Sequence, residues 1–121
     1  MNPMQREYFR RKLHHWRAEL VQESEATRDH LQNEVVPRSD VLDRASAESD
    51  RSLELRTRDR YRKLINKIDA ALLRITNETY GYCEISGQPI GIRRLDARPI
   101  ATMTVEAQTQ HERAERTQNM D

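Results

Sequence analysis

Apolar residues in the first part of the chain recur at alternating steps of four and three. Phe9, Leu13, Trp16 and Leu20 follow this spacing, which is typical of a helix that packs lengthwise against another helix. The pattern predicts one helix over residues 3–35. Beyond Leu20 the same positions hold mostly polar residues, so we expect the packed seam to thin along the helix.

A break follows in the stretch VPRSDVLDRA, residues 36–45. Pro37 disfavours helix at Val36 and lacks a backbone donor, while Ser39 and Asp40 are turn and N-cap residues. Helix-forming residues return over about 44–77. The second predicted seam consists of Tyr61, Leu64, Ile65, Ile68, Leu72 and Ile75. Two helices with a short connection pack antiparallel, so we expect a helical hairpin.

The sequence changes character after residue 78. A glycine-rich turn, a short apolar strand PIGI, a loop at Pro99 and a last helix over about 104–118 with Thr104 as N-cap are predicted. The predicted fold class is mainly α. We expect a long antiparallel coiled-coil hairpin over 1–78 with an acidic tip at about 37–45. A small globular lobe with a C-terminal helix should occupy 79–121.

The composition supports an elongated helical protein. Of the 121 residues, 36% are hydrophobic and 34% are charged, which favours a seam between helices over a thick core. A net charge of +1 argues against a general nucleic-acid binder, so no direct DNA binding is expected. The charge is segregated, however: residues 40–50 hold four acids and one base, and residues 51–67 hold seven bases and two acids.

Localisation follows from what the sequence does not contain. No stretch reaches the roughly 18 apolar residues of a membrane span, and the N-terminus lacks the apolar segment of a signal peptide. One cysteine cannot form an intramolecular disulfide, which agrees with a reducing compartment. We therefore expect a cytoplasmic protein without a membrane partner. Because the seam residues pair within one hairpin, a monomer is expected.

The stretch YGYCEISGQPIGIRR, residues 80–94, resembles half of a zinc site. A structural zinc needs four Cys or His ligands, whereas this chain has Cys83 alone, and Ser86 stands where a C-x-x-C pair would place its second cysteine. A reactive-thiol role for Cys83 needs a positioned base, and no companion motif is evident. A buried small side chain is the preferred interpretation.

Three stretches together identify a family. SLELRTRDRYRKL, YGYCEISGQPIGIRRLDARPIAT and the D-x-x-D-x-A motif in DVLDRA closely resemble the DksA family of bacterial RNA polymerase secondary-channel regulators. The resemblance extends from about Gln5 to Glu112. It implies a non-enzymatic transcription regulator whose hairpin enters the secondary channel.

The resemblance also locates the family's zinc ligands. They fall on Cys83, Ser86, Thr104 and Ala107, so the resemblance points to a zinc-free branch and no metal cofactor is expected. We expect apolar burial to replace the metal. The predicted apolar cluster consists of Ile85, Ile90, Ile92, Ile100, Met103 and Val105.

Site residues are implied by the same resemblance. Asp40, Asp43 and Ala45 form the tip near the polymerase active site. Contacts to the polymerase and to the alarmone ppGpp fall on Arg56, Arg60, Leu64, Lys67 and Arg98. Two positions of the alarmone pocket depart from the family pattern, because Pro37 replaces a polar residue and Gln108 replaces a lysine. RNA polymerase and ppGpp are the expected partners.

Other interpretations of these residues remain open. Asp40 and Asp43 are also ordinary helix-capping residues, and a basic helix face is often only solvated. A generic coiled-coil adaptor predicts a tip that tolerates substitution. A Cys-dependent or DxxD metal-dependent enzyme predicts turnover by the isolated protein.

Overall fold

The protein is built from four helices. The computed structural model describes residues 1–33 and 41–119, with side chains at 1–27 and 45–118. The helices are α1 (Pro3–Asn33), α2 (Val41–Thr76), α3 (Ile92–Ala97) and α4 (Val105–Asn119). The chain forms two compact units. The hairpin unit is His14–Asp69, and the lobe unit combines Met1–Leu13 with Ala70–Asp121.

The hairpin unit contains parts of α1 and α2, which run antiparallel. The Arg17 Nε donates to Asp69 Oδ1 at 2.7 Å, and further along α1 the carboxylate of Glu23 accepts a hydrogen bond from Tyr61. As the residue number of the contact increases along α1, the residue number of its partner on α2 therefore decreases. The seam buries Leu20 and Ile68 and half-buries Trp16, Tyr61, Leu64 and Ile65. The predicted antiparallel hairpin is confirmed.

The helix boundaries follow local chemistry. Asn2 and Gln5 cap α1 reciprocally, because the Gln5 N–H donates to Asn2 Oδ1 at 2.8 Å and the Asn2 N–H donates to Gln5 Oε1 at 3.2 Å. Helix α2 begins at Val41, three residues before the predicted start. It ends at Thr76, and Glu78 then adopts the left-handed conformation with φ 63°. The predicted extension of α1 to residue 35 lies outside the described residues.

The lobe unit has a dense core. Its buried side chains are Phe9, Leu13, Ala71, Ile75, Tyr80, Cys83, Ile90, Leu95, Ile100, Ala101 and Ala107. The rings of Phe9 and Tyr80 lie 5.7 Å apart, and the Tyr80 hydroxyl donates to the Pro99 carbonyl at 2.8 Å. Burying a large apolar side chain contributes about 1.5–3 kcal/mol, so this core is the main source of the lobe's stability.

A polar cluster within the lobe unit connects α1 to α3. Asp96 Oδ1 accepts a hydrogen bond from the Tyr8 hydroxyl at 2.6 Å and one from Lys12 Nζ at 2.7 Å. The hydrogen bond from Lys12 holds the pKa of the Asp96 carboxyl below its usual range. The cluster therefore fixes the orientation of α3 on the first turns of α1.

The predicted strand PIGI does not form. Within the described residues, the β-structure here is one isolated antiparallel bridge between Tyr82 and Pro89. Gly91 has φ 98°, which ends the extended run, and the Leu95 N–H donates to the Gly91 carbonyl at 3.1 Å as α3 begins. The last isoleucine of the motif, Ile92, therefore starts a helix whose buried residue is Leu95.

The predicted apolar cluster is only partly correct. Ile90 and Ile100 are buried, but Ile85, Ile92 and Val105 are 60%, 47% and 55% exposed. Residues outside the prediction supply the remaining burial, and they include Tyr80, Leu95, Ala101 and Ala107. The rest of the interior is thus filled by Tyr80, by the small side chains of Ala101 and Ala107, and by Leu95 of α3. Leu95 can enter the core because the chain turns at Gly91 instead of continuing as a strand.

Helix α4 agrees with its predicted start. The Ala107 N–H donates to Thr104 Oγ1 at 3.2 Å, which makes Thr104 the N-cap, and Glu106 lies in the first turn beside the positive end of the helix dipole.

Among the helices of the described chain, none has the length and hydrophobicity required to cross a bilayer.

Candidate functional site

A basic depression lies on the surface of α2 in the hairpin unit. It has a volume of about 320 Å³ and is lined by Arg56, Asp59, Arg60, Lys63, Leu64 and Lys67. Steps of four, three and four residues place its cations on one stripe of the helix. Four of the five contact residues implied by the sequence resemblance are therefore neighbours, namely Arg56, Arg60, Leu64 and Lys67.

The depression carries an excess of positive charge. Lys63 Nζ pairs with Asp59 Oδ2 at 3.2 Å, and both side chains are exposed. Arg60 and Lys67 make no ion pair with another described residue. Leu64 is half-buried and adds an apolar edge. An anionic group can therefore approach two cations that have no counter-ion among the described side chains.

The fifth implied contact residue, Arg98, belongs to the lobe unit. It follows α3, its backbone N–H donates to the Arg94 carbonyl at 2.8 Å, and its side chain is exposed. Arg94 is oriented differently, because its Nε donates to the Met103 carbonyl at 2.9 Å. Arg98 is thus available to a partner, whereas Arg94 helps to hold the lobe.

The predicted tip falls largely outside the described residues. Asp40 is not described, and Asp43 lies in α2 but its side chain is not described. Ala45 is an exposed residue of α2. The predicted roles of these three residues therefore stay predictions.

The first pair of former ligand positions, Cys83 and Ser86, forms a hydrogen-bonded turn. The Ser86 N–H donates to Cys83 Sγ at 3.4 Å, and the Gly87 N–H donates to the Cys83 carbonyl at 2.9 Å. Hydrogen bonds from the hydroxyl and N–H of Ser86, and from the N–H groups of Thr104 and Ile85, lower the pKa of the Cys83 thiol to about 6. Cys83 is only 3% exposed.

The second pair, Thr104 and Ala107, forms the N-cap of α4 described above. Ala107 has no donor atom for a metal, and Thr104 Oγ1 already accepts the Ala107 N–H. Of the four positions, only Cys83 carries a thiolate, so these residues do not fit a tetrahedral zinc site. The described chain also contains no group of three or more His, Cys, Asp or Glu side chains that could hold a metal ion.

Some residues of these sites were not predicted from the sequence. Asp59 lines the depression, and its i,i+4 spacing to Lys63 was the available signal. Tyr80 and Pro99 pair across the lobe at a separation of 19 residues, which no local pattern reveals.

Two family models together match nearly the whole chain. Residues 5–75 match the N-terminal domain of DnaK suppressor protein DksA. Residues 78–113 match the prokaryotic dksA/traR C4-type zinc finger. The second match covers the lobe in which three of the four cysteine positions hold other residues.

Curated relatives are similar over most of their length. An RNA polymerase-binding transcription factor DksA of Caulobacter vibrioides is 58% identical over 121 residues, which cover 100% of this chain and 85% of the relative. The protein of the same name from Escherichia coli K12 is 48% identical over 109 residues, covering 90% and 72%.

Solved structures agree with this fold. Transcription factor DksA2 from Pseudomonas aeruginosa superimposes with a TM-score of 0.89 at 40% identity, covering 96% of this chain and 89% of that one. An RNA polymerase binding protein and transcriptional regulator from Chlamydia trachomatis superimposes with a TM-score of 0.57 at 24% identity, a likeness that shows the fold alone.

Proposed function

Because the chain belongs to the DksA family, we propose that it is a transcription regulator that binds bacterial RNA polymerase and modulates initiation. The observation that carries the proposal is similarity over the full chain, at 58% identity, to a protein named for polymerase binding. The helical hairpin supports it, since the same fold is found in a solved transcription factor with a TM-score of 0.89.

We assign the regulatory step to the hairpin tip. Asp40, Asp43 and Ala45 would enter the secondary channel, where carboxylates can act on a basic side chain, a metal-bound water or a mobile element. The small side chain of Ala45 permits close approach. The proposal rests on the D-x-x-D-x-A motif in DVLDRA.

We assign affinity and alarmone response to basic residues. Arg56, Arg60 and Lys67 share the depression on α2 with Leu64, and Arg98 is exposed on the lobe unit. Guanosine tetraphosphate is polyanionic, so charge-assisted hydrogen bonds from these side chains would hold it at the polymerase interface. We expect the response to be weaker than in relatives that retain a lysine at the position of Gln108.

The lobe is proposed to fold without zinc. Three of the four former ligand positions hold residues without a thiol, and the buried core supplies the stability. We further propose a cytoplasmic monomer without enzymatic activity and without direct DNA contact. In the part of the chain that the structure describes, no group of three or more His, Cys, Asp or Glu side chains could hold a metal ion, and His111 Nε2 is paired with Glu115 at 2.9 Å.

The first test is binding to core RNA polymerase, measured by co-purification and by titration of labelled protein. Stoichiometric binding is expected. A generic coiled-coil adaptor would not co-purify with polymerase, and that result would reject the proposal.

The tip is tested by combining Asp40→Asn with Asp43→Asn. Asn retains capping ability and shape but removes the charge, so polymerase affinity should persist while regulation of a responsive promoter in vitro is lost. Full regulation by the double variant would return both residues to a capping role.

A further inference from the structure

One acidic residue lines the basic depression of α2. The lining contains four cations, the half-buried Leu64 and Asp59. At about 100° per residue, Asp59 and Leu64 lie on opposite sides of the cation stripe, with Leu64 toward the seam. Asp59 therefore lies at the edge of the depression that faces away from the seam, where an anion from solvent would approach.

Asp59 already forms an ion pair with one of the four cations, Lys63. Its Oδ2 lies 3.2 Å from Lys63 Nζ, with the two side chains 55% and 72% exposed. Arg60 and Lys67 have no such pairing with any residue that the structure describes. Lys63 is thus the stripe cation for which a partner anion competes with an internal carboxylate.

We infer that Asp59 is an internal competitor for the oxyanion that the depression binds. It holds Lys63 in the free protein and releases Lys63 when a carboxylate or phosphate enters. An exposed i,i+4 pair is weak, so the exchange is readily reversible. The negative charge of Asp59 also lowers the affinity for any anion, so an occupant that contacts several cations at once is favoured. This inference rests on the proposed function, because that function supplies the anionic partner.

The matched pair of variants is Asp59→Asn and Asp50→Asn. Both remove one carboxylate charge from α2, but the exposed Asp50 does not line the depression. Two binding measurements, the two arms of the experiment, distinguish the source of the oxyanion. Inorganic tripolyphosphate binding to the isolated protein reports on phosphate, and binding to core polymerase without ppGpp reports on protein carboxylates.

Asp59→Asn should tighten binding about two- to fivefold at low salt in at least one arm, and the gain should shrink as salt is raised. Asp50→Asn should leave affinity unchanged. Unchanged or weaker binding by Asp59→Asn in both arms, or an equal gain from Asp50→Asn, would overturn the inference. If the parent binds polymerase but not tripolyphosphate, the inference stands or falls on the effect of Asp59→Asn on polymerase binding. If it binds neither, both the competitor role and the proposed function are rejected.

A Lys63→Met background tests whether Asp59 acts through Lys63. The gain from Asp59→Asn should be lost or clearly reduced there, since no ammonium remains to be released. A full gain in that background would reject the competitor role and leave simple repulsion. Melting temperatures should match among the variants, because the pair is exposed.

Discussion

The lobe unit and the hairpin unit differ in how they use apolar side chains. Most of the buried hydrophobic residues of the described chain lie in the lobe unit, whereas the hairpin unit buries Leu20 and Ile68. Both units expose some large apolar residues, such as Leu53 of the hairpin unit at 61% and Ile85 of the lobe unit at 60%. The basic depression with its four cations lies in the hairpin unit.

This difference indicates a division of roles. A dense core makes the lobe the region whose stability depends on packing, and loss of a metal can be tolerated where packing suffices. The hairpin has few packed residues outside its seam, so many of its surface positions can be substituted without unfolding. Function should therefore be separable from stability in the hairpin and difficult to separate in the lobe.

The largest effect is expected from Leu95→Ala. Leu95 is 1% exposed in the lobe core, so truncation should lower the free energy of unfolding by about 2–5 kcal/mol. The matched hairpin variant, Leu53→Ala, should change it by no more than about 0.5 kcal/mol. Chemical denaturation measures both. Equal losses would contradict the contrast between the two units.

Tyr80→Phe should have a smaller effect. It removes the hydroxyl that donates to the Pro99 carbonyl at 2.8 Å, within a buried environment. The unsatisfied carbonyl should cost about 1–2 kcal/mol of unfolding free energy. The same denaturation experiment applies, with Tyr82→Phe as the exposed control. A loss no larger than that of the control would show that this hydrogen bond does not stabilise the lobe.

Cys83 should give the lobe a pH-dependent stability. Because the thiol pKa is lower in the folded protein than in the unfolded chain, ionisation stabilises the fold. The contribution is complete above the ordinary thiol pKa of about 8.5 and is lost as pH falls through about 6.

The measurement compares the unfolding free energies of the parent and Cys83→Ser across this range. The hydroxyl of serine can accept the same hydrogen bonds but does not ionise. The stability difference should increase in favour of the parent as pH rises. A constant difference would show that folding does not lower the thiol pKa.

Metal removal should have the smallest effect. The residues at the former ligand positions do not fit zinc, so treatment with a chelator should leave the melting temperature unchanged. Metal analysis of the purified protein provides the complementary measurement. Stoichiometric bound zinc, or unfolding by the chelator, would contradict the proposed zinc-free lobe.

The sequence predicted the hairpin well because helical periodicity is a local signal. The seam positions Trp16 and Leu20 of α1 and Tyr61 to Ile68 of α2 needed only their spacing to be recognised, although Phe9, Leu13 and Ile75 of the same pattern lie in the lobe unit. The N-cap at Thr104 was predictable for the same reason, since capping depends on a few neighbouring residues. Four members of the basic site also followed from resemblance, because they lie within one short stretch of α2.

The lobe was predicted less well because its structure depends on contacts between distant residues. Alternating apolar residues in PIGI favour a strand, yet Gly91 and the burial of Leu95 select a helix. The hydrogen-bonded environment of Cys83 combines Ser86 with Thr104, which lie far apart in sequence. The predicted domain boundary between residues 78 and 79 stays a prediction.

The central claim is that the charges on α2 bind RNA polymerase while the lobe maintains the fold. Polymerase affinity of the Arg60→Ala, Lys67→Ala double variant tests it most directly, at low and moderate salt. Arg62→Ala is the control, because the exposed Arg62 lies on α2 outside the depression. We predict binding weakened about three- to tenfold at low salt, a smaller loss at moderate salt and an unchanged melting temperature. Parental affinity of the double variant at both salt concentrations, or an equal loss in Arg62→Ala, would contradict the account.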